Sequence, residues 1–167
     1  SAASDVYKRQ ILENIPNSCS LEVPFGNNEH DNVEVYKWGV VEEKTFTPRQ
    51  HFEVPAAMGL DFKSAAKISG SRFSILHGGI ATLHRAISQF MIDKHIRDHK
   101  LKEVSTPVLV KEDMMYGTGQ LPKFASESYN TSDGWWLIPS AEVPLTNLIA
   151  NSIISSDELP IRLCAVS

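Results

Sequence analysis

The most constraining feature of this sequence is a single long helical pattern running from about Ile80 to His99. Leu83, Ile87, Phe90 and Met91 recur at the i, i+4, i+7, i+8 spacing of one helix face, and Ile92 and Ile96 form a second stripe beside them. A helix apolar on two sides needs packing partners on both. Lys94, Arg97 and Lys100 sit near its C-terminal end, where the helix dipole favours cations.

What surrounds this helix predicts an α+β domain. Asp61 is placed to cap a short helix with Phe62, Ala65, Ala66 and Ile68 on its buried side and Gly70 at its end. Arg72–Leu76 reads as a strand with Gly78-Gly79 as its turn, and Val104–Val110 as an extended segment interrupted by Pro107. A short helix is expected near Glu112–Tyr116, ending at Gly117, and a buried strand at Trp135–Ile138, stopped by Pro139. Val33–Trp38 suggests a short extended piece closed by Gly39, between the loop-rich stretches Ile11–Asn32 and Glu42–Pro55. Strands scattered among helices at irregular intervals argue against a doubly wound sheet.

The ends of the chain read differently. Ser1–Gln10 is polar without helical or strand periodicity, looks like a translated adapter sequence, and is expected to be a non-native leader to a domain spanning 11–167. Ile161–Ser167 reads as a strand with no closing turn, as in a fragment. At 167 residues, 42% apolar and 22% charged, the chain suits one globular domain. A net charge of −4 gives no basic coat for nucleic acid, though a local patch would not show in the total. Cys19 and Cys164 make no disulfide framework, and Cys164 reads as a small hydrophobe. No apolar run approaches the ~20 residues of a membrane span, so a soluble cytoplasmic protein is expected.

Three local patterns carry little chemistry. His95 and His99 have metal-face spacing but no third ligand nearby, so no metal site is expected. Gly117-Thr118-Gly119-Gln120 lacks the Gly-Lys-Ser/Thr ending of a phosphate loop and reads as a tight turn. Trp135-Trp136 suits packing better than base stacking.

The informative segment is Ile138-Pro139-Ser140-Ala141-Glu142-Val143-Pro144-Leu145-Thr146-Asn147. Pro144 lacks an N–H and fits only the first turn of a helix, taken here as Pro144–Ala150. Ser140, Ala141 and Glu142 then fall on the turn between a strand and that helix. A carboxylate there can receive an ammonium group, and a hydroxyl can add one more hydrogen bond. Equally, both residues can simply cap the helix. The residues alone leave both readings open.

Taken together, separated blocks in order resemble the bacterial and organellar seryl-tRNA synthetases, class II aminoacyl-tRNA synthetases. The blocks are Asp31–Val35 with Trp38-Gly39, Ser69–Phe73, Gly117–Phe124, Pro139–Asn147 and Asp157–Ile161. The resemblance implies the N-terminal portion of a class II catalytic domain, with a mixed, mainly antiparallel sheet flanked by helices. It implies a ligase that joins serine to ATP as seryl-adenylate, with Mg²⁺ and arginines on the phosphates, then passes the seryl group to serine tRNA. Ser140, Ala141 and Glu142 would bind serine's amino group, with Ser140 where the family usually has Thr. Pro107, Val108 and Leu109 would lie in motif 1, the homodimer interface. The arginines of motifs 2 and 3 would follow Ser167 and the tRNA-binding arm would precede this segment, so no catalytic residue is expected here and the 167-residue chain alone should be inactive. Arg162 precedes motif 2 and does not take that role. Two other readings are an amino-acid:carrier-protein ligase and a non-catalytic dimeric paralogue.

Overall fold

The computed structural model describes residues 2–53 and 59–167. Ser1, and Pro55 at the end of the second loop-rich stretch, lie outside the described residues. The chain forms two compact units, Ser1–His51 and Phe52–Ser167.

The first unit opens with α1 (Ala2–Glu13). This corrects the reading of the leader and of Ile11–Glu13 as irregular. Lys8, Arg9, Gln10 and Leu12 are good helix formers, Asp5 suits the first turn, and Arg9 Nε donates to Glu13 Oε1 at 2.6 Å, one turn on. Helix propensity thus acts where no apolar stripe marks the helix, and Val6, Tyr7 and Ile11 remain exposed. A reciprocal cap between Asn28 and Asp31 forms a single 3-10 turn at Glu29–Asp31. Val33–Trp38 follows without strand pairing among the described residues.

The second unit is α+β. Strand β1 (Leu60–Asp61) pairs antiparallel with β2 (Ile75–Leu76) around α2 (Phe62–Ser69). Asp61 caps α2 as expected, its Oδ1 accepting from Ser64 N at 2.8 Å, and that hydrogen bond holds its carboxyl below the usual value. Gly70 ends the helix at φ +100°. Ala65 alone of the expected face is buried; Phe62, Ala66 and Ile68 are exposed. Gly59 is required by close approach: a Cβ there would stand 2.1 Å from the His77 carbonyl oxygen.

Helix α3 (Gly78–His99) begins two residues before the expected start, so Gly78-Gly79 opens the helix instead of forming a turn. Ile92 is buried and Ile96 half-buried, whereas Leu83, Ile87, Phe90 and Met91 stay exposed. Strand β3 (Lys102–Glu103) pairs in parallel with β6 (Leu163–Cys164), within the expected final strand. Strand β4 (Leu109–Val110) pairs antiparallel with β5 (Trp136–Leu137). Between them lies α4 (Glu112–Gly117), and after β5 comes α5 (Glu142–Asn147). The β5 segment is only partly buried, contrary to expectation: Trp135 and Leu137 are exposed, Trp136 and Ile138 half-buried. Trp136 packs on a core of Val110, Met115, Leu121 and Val143, which binds α4 to α5.

Candidate functional site

Helix α5 starts at Glu142, two residues ahead of the expected position, and ends at Asn147 instead of Ala150. Pro144 is its third residue, still inside the first turn, where its missing N–H costs no helical bond. Ala141 is the N-cap and is buried, with φ −60°. Ser140 Oγ accepts from Glu142 N at 3.1 Å. The capping reading therefore holds for Ser140. Ser140 ties down the backbone of the turn, keeping its hydroxyl hydrogen to donate. The exposed Glu142 side chain makes no hydrogen bond or ion pair among the described residues.

That side chain opens on a cleft of about 510 Å³. On one side lie residues 140–142 with Leu145, Thr146 and Ile149; on the other lie Leu163 of β6 and its neighbours Ile161, Ala165 and Ser167. Thr146 lies one helical turn beyond Glu142, adding a second hydroxyl that the sequence reading did not single out. The lining thus holds the Glu142 carboxylate and the hydroxyls of Ser140, Thr146 and Ser167 among apolar residues. Such a site can seat an ammonium at Glu142 while the remainder of a small ligand lies along Leu145 and Leu163.

The other singled-out residues fall elsewhere. Pro107, Val108 and Leu109 are exposed in the single chain, the first two just before β4 and Leu109 its first residue. Gly117–Gln120 is the tight turn expected: Gly119 N donates to the Tyr116 carbonyl at 3.0 Å and Gln120 N to Met115 at 3.0 Å. His95 Nδ1 and His99 Nδ1 lie 3.0 Å apart on α3. Among the described residues no three His, Cys, Asp or Glu side chains gather as a metal site, and no helix is long and apolar enough to cross a membrane. Both cysteines are free thiols, Cys19 exposed and Cys164 half-buried.

No family model matches the chain. Curated relatives do. The serine–tRNA ligase of Ruegeria pomeroyi is 49% identical over 164 residues, covering 98% of this chain and 38% of the relative. That of Paracoccus denitrificans is 48% identical over 168 residues, covering 100% of this chain and 39% of the relative. The chain therefore spans about two fifths of the length of the relatives it matches. Among solved structures, seryl-tRNA synthetase from Pyrococcus horikoshii complexed with ATP matches with TM-score 0.78 at 29% identity, over 94% of this chain and 40% of that one. The cytoplasmic serine–tRNA ligase of Naegleria fowleri in complex with AMP matches with TM-score 0.80 over 99% of this chain and 40% of that one. At 23% identity the second likeness is one of fold. At near-half identity along almost its whole length, and with the same fold, this chain is similar to about two fifths of a serine–tRNA ligase.

Proposed function

We propose that this chain is the part of a class II serine–tRNA ligase that receives the amino acid. The observation carrying the proposal is the Glu142 carboxylate, exposed on a cleft and without a partner among the described residues, on a turn already fixed by Ser140. Serine's ammonium donates to the Glu142 carboxylate and to the remaining lone pair of Ser140 Oγ. The cleft is far larger than a three-carbon amino acid, which leaves room for the nucleotide of an adenylate.

The reaction is attack of serine's carboxylate on the α-phosphate of ATP, releasing pyrophosphate, then transfer of the seryl group to the terminal ribose of serine tRNA. Glu142's share is to orient the ammonium so that the carboxylate faces the phosphate. Among the described residues, the Mg²⁺ that accompanies ATP in such chemistry finds no carboxylate cluster, and Glu142 is the one acidic side chain lining the cleft. No step is therefore assigned to the metal within this segment. The protein acts in the cytoplasm as a homodimer through Pro107, Val108 and Leu109. The exposed apolar face of α3 and the exposed Val108 and Leu109 support that assembly.

Pyrophosphate exchange and acyl transfer by a full-length ligase carrying this segment test the reading. Exchange should require serine, and the seryl group should pass to tRNA. Serine-dependent exchange with transfer to a carrier protein would favour the carrier ligase. Absence of exchange would favour the non-catalytic paralogue.

A further inference from the structure

We propose that Asn147 is a positioning residue for amino-acid recognition, holding Glu142 in place by clamping α5 to α4, with Gly117 as the gap that admits it. This rests on the reading of Glu142 as the ammonium receptor. Asn147 is the last residue of α5, and its Nδ2 donates twice: to the Val143 carbonyl at 2.8 Å and to the Met114 carbonyl at 2.9 Å. Val143 is the neighbour of Glu142, and Met114 belongs to α4, 33 residues before Asn147 in the chain. One amide nitrogen thus spends both protons joining the recognition turn to the helix behind it.

The fit is close from the other side too. A Cβ on Gly117 would stand 2.8 Å from Asn147 Oδ1, nearer than real side-chain carbons approach. The φ of Gly117 is not left-handed, so contact with Asn147 is what the missing side chain serves. Helices α4 and α5 have six residues each. Helices this short have no orientation of their own in water and take it from their contacts. Buried Met115 and Val143 supply apolar contact between the two helices, which resists separation but is indifferent to sliding. The directional hydrogen bonds of Asn147 set the register, and with it the place of Glu142 in the cleft.

In a full-length ligase carrying this segment, Asn147→Asp keeps the shape but turns a carboxylate oxygen toward two carbonyls. Gly117→Ala pushes on the same contact without touching Asn147. Each should raise the serine KM in pyrophosphate exchange by about 10-fold while the ATP KM stays within about twofold, as expected for a misplaced recognition group. The double variant should be little worse than the worse single one, because both act on one contact. Should Asn147→Asp not fold, Gly117→Ala decides alone. Serine and ATP KM values rising together, or a lowered melting temperature with both KM values unchanged, would overturn the proposal. Glu142→Gln in parallel separates the layers. If it leaves serine KM unchanged, the recognition reading falls and this inference with it. If it raises serine KM while the Asn147 and Gly117 variants do not, this inference alone falls.

Discussion

Replacing Glu142 by Gln in a full-length ligase is the most searching test of the site, because the structure separates its two possible roles. The backbone N–H of Glu142 is bound by Ser140 Oγ at 3.1 Å, and Gln leaves that bond intact. The side chain is exposed and at the first position of α5, so as a helix-terminal charge it contributes about 0.3–1 kcal/mol. As the partner of an ammonium in a ligand-filled cleft, its charge carries roughly 2–4 kcal/mol, combining a charge-assisted bond with the cost of an unpaired cation. At about 1.4 kcal/mol per factor of ten, the second role predicts a fall of ~30- to 1000-fold in kcat/KM for serine. The first predicts a slightly lower melting temperature and ordinary kinetics. Pyrophosphate exchange at varied serine and saturating ATP, with a melting curve on the same preparation, distinguishes them. A kcat/KM for serine within about threefold of the parent would refute the reasoning from the 2–4 kcal/mol estimate.

Two further outcomes follow from packing. Met115→Ala, at a side chain with no exposed surface, should destabilise the ligase by about 2–5 kcal/mol in urea unfolding; a change under about 1 kcal/mol would mean the α4–α5 core is not cooperative with the rest. In the proposed dimer, two-fold symmetry would bury the unpaired charge of Val108→Asp twice, at several kcal/mol each, so the variant should be monomeric at micromolar concentration in sedimentation velocity; an unaltered dimer would exclude Val108 from the interface.

Local chemistry made part of this molecule legible before its structure. Asp61 and Gly70 bracket α2, Gly117 ends α4, and Pro144 fixes the first turn of α5, because caps and prolines act through neighbours in sequence. Helix α1 escaped notice because propensity and an i, i+4 ion pair leave no apolar period to read. Gly78-Gly79 misled because glycine signals a turn, while here it opens a helix whose N-cap, His77, makes no side-chain capping bond. The apolar face of α3 is plain in the sequence, but whether a face is covered depends on what packs against it. At the site, the turn 140–142 was legible through Pro144. The opposite wall at Ile161–Ala165 and the bridge from Asn147 to Met114 were not, being contacts between distant parts of the chain.

The parallel pairing of Lys102 with Leu163 and Glu103 with Cys164 also orders events in time. It closes a loop of about sixty residues, whereas β4 and β5 meet across fewer than thirty. During synthesis from the N-terminus, the core of Val110, Met115, Leu121 and Val143 has all its members once α5 has emerged. The wall of the cleft at Leu163 and Ala165 has yet to be made at that moment. Short loops close before long ones, so the turn bearing Glu142 is anchored to a finished core while it still faces open water. The docking of β6 then adds the second set of lining residues beside Glu142, so the cleft is the last feature this segment acquires.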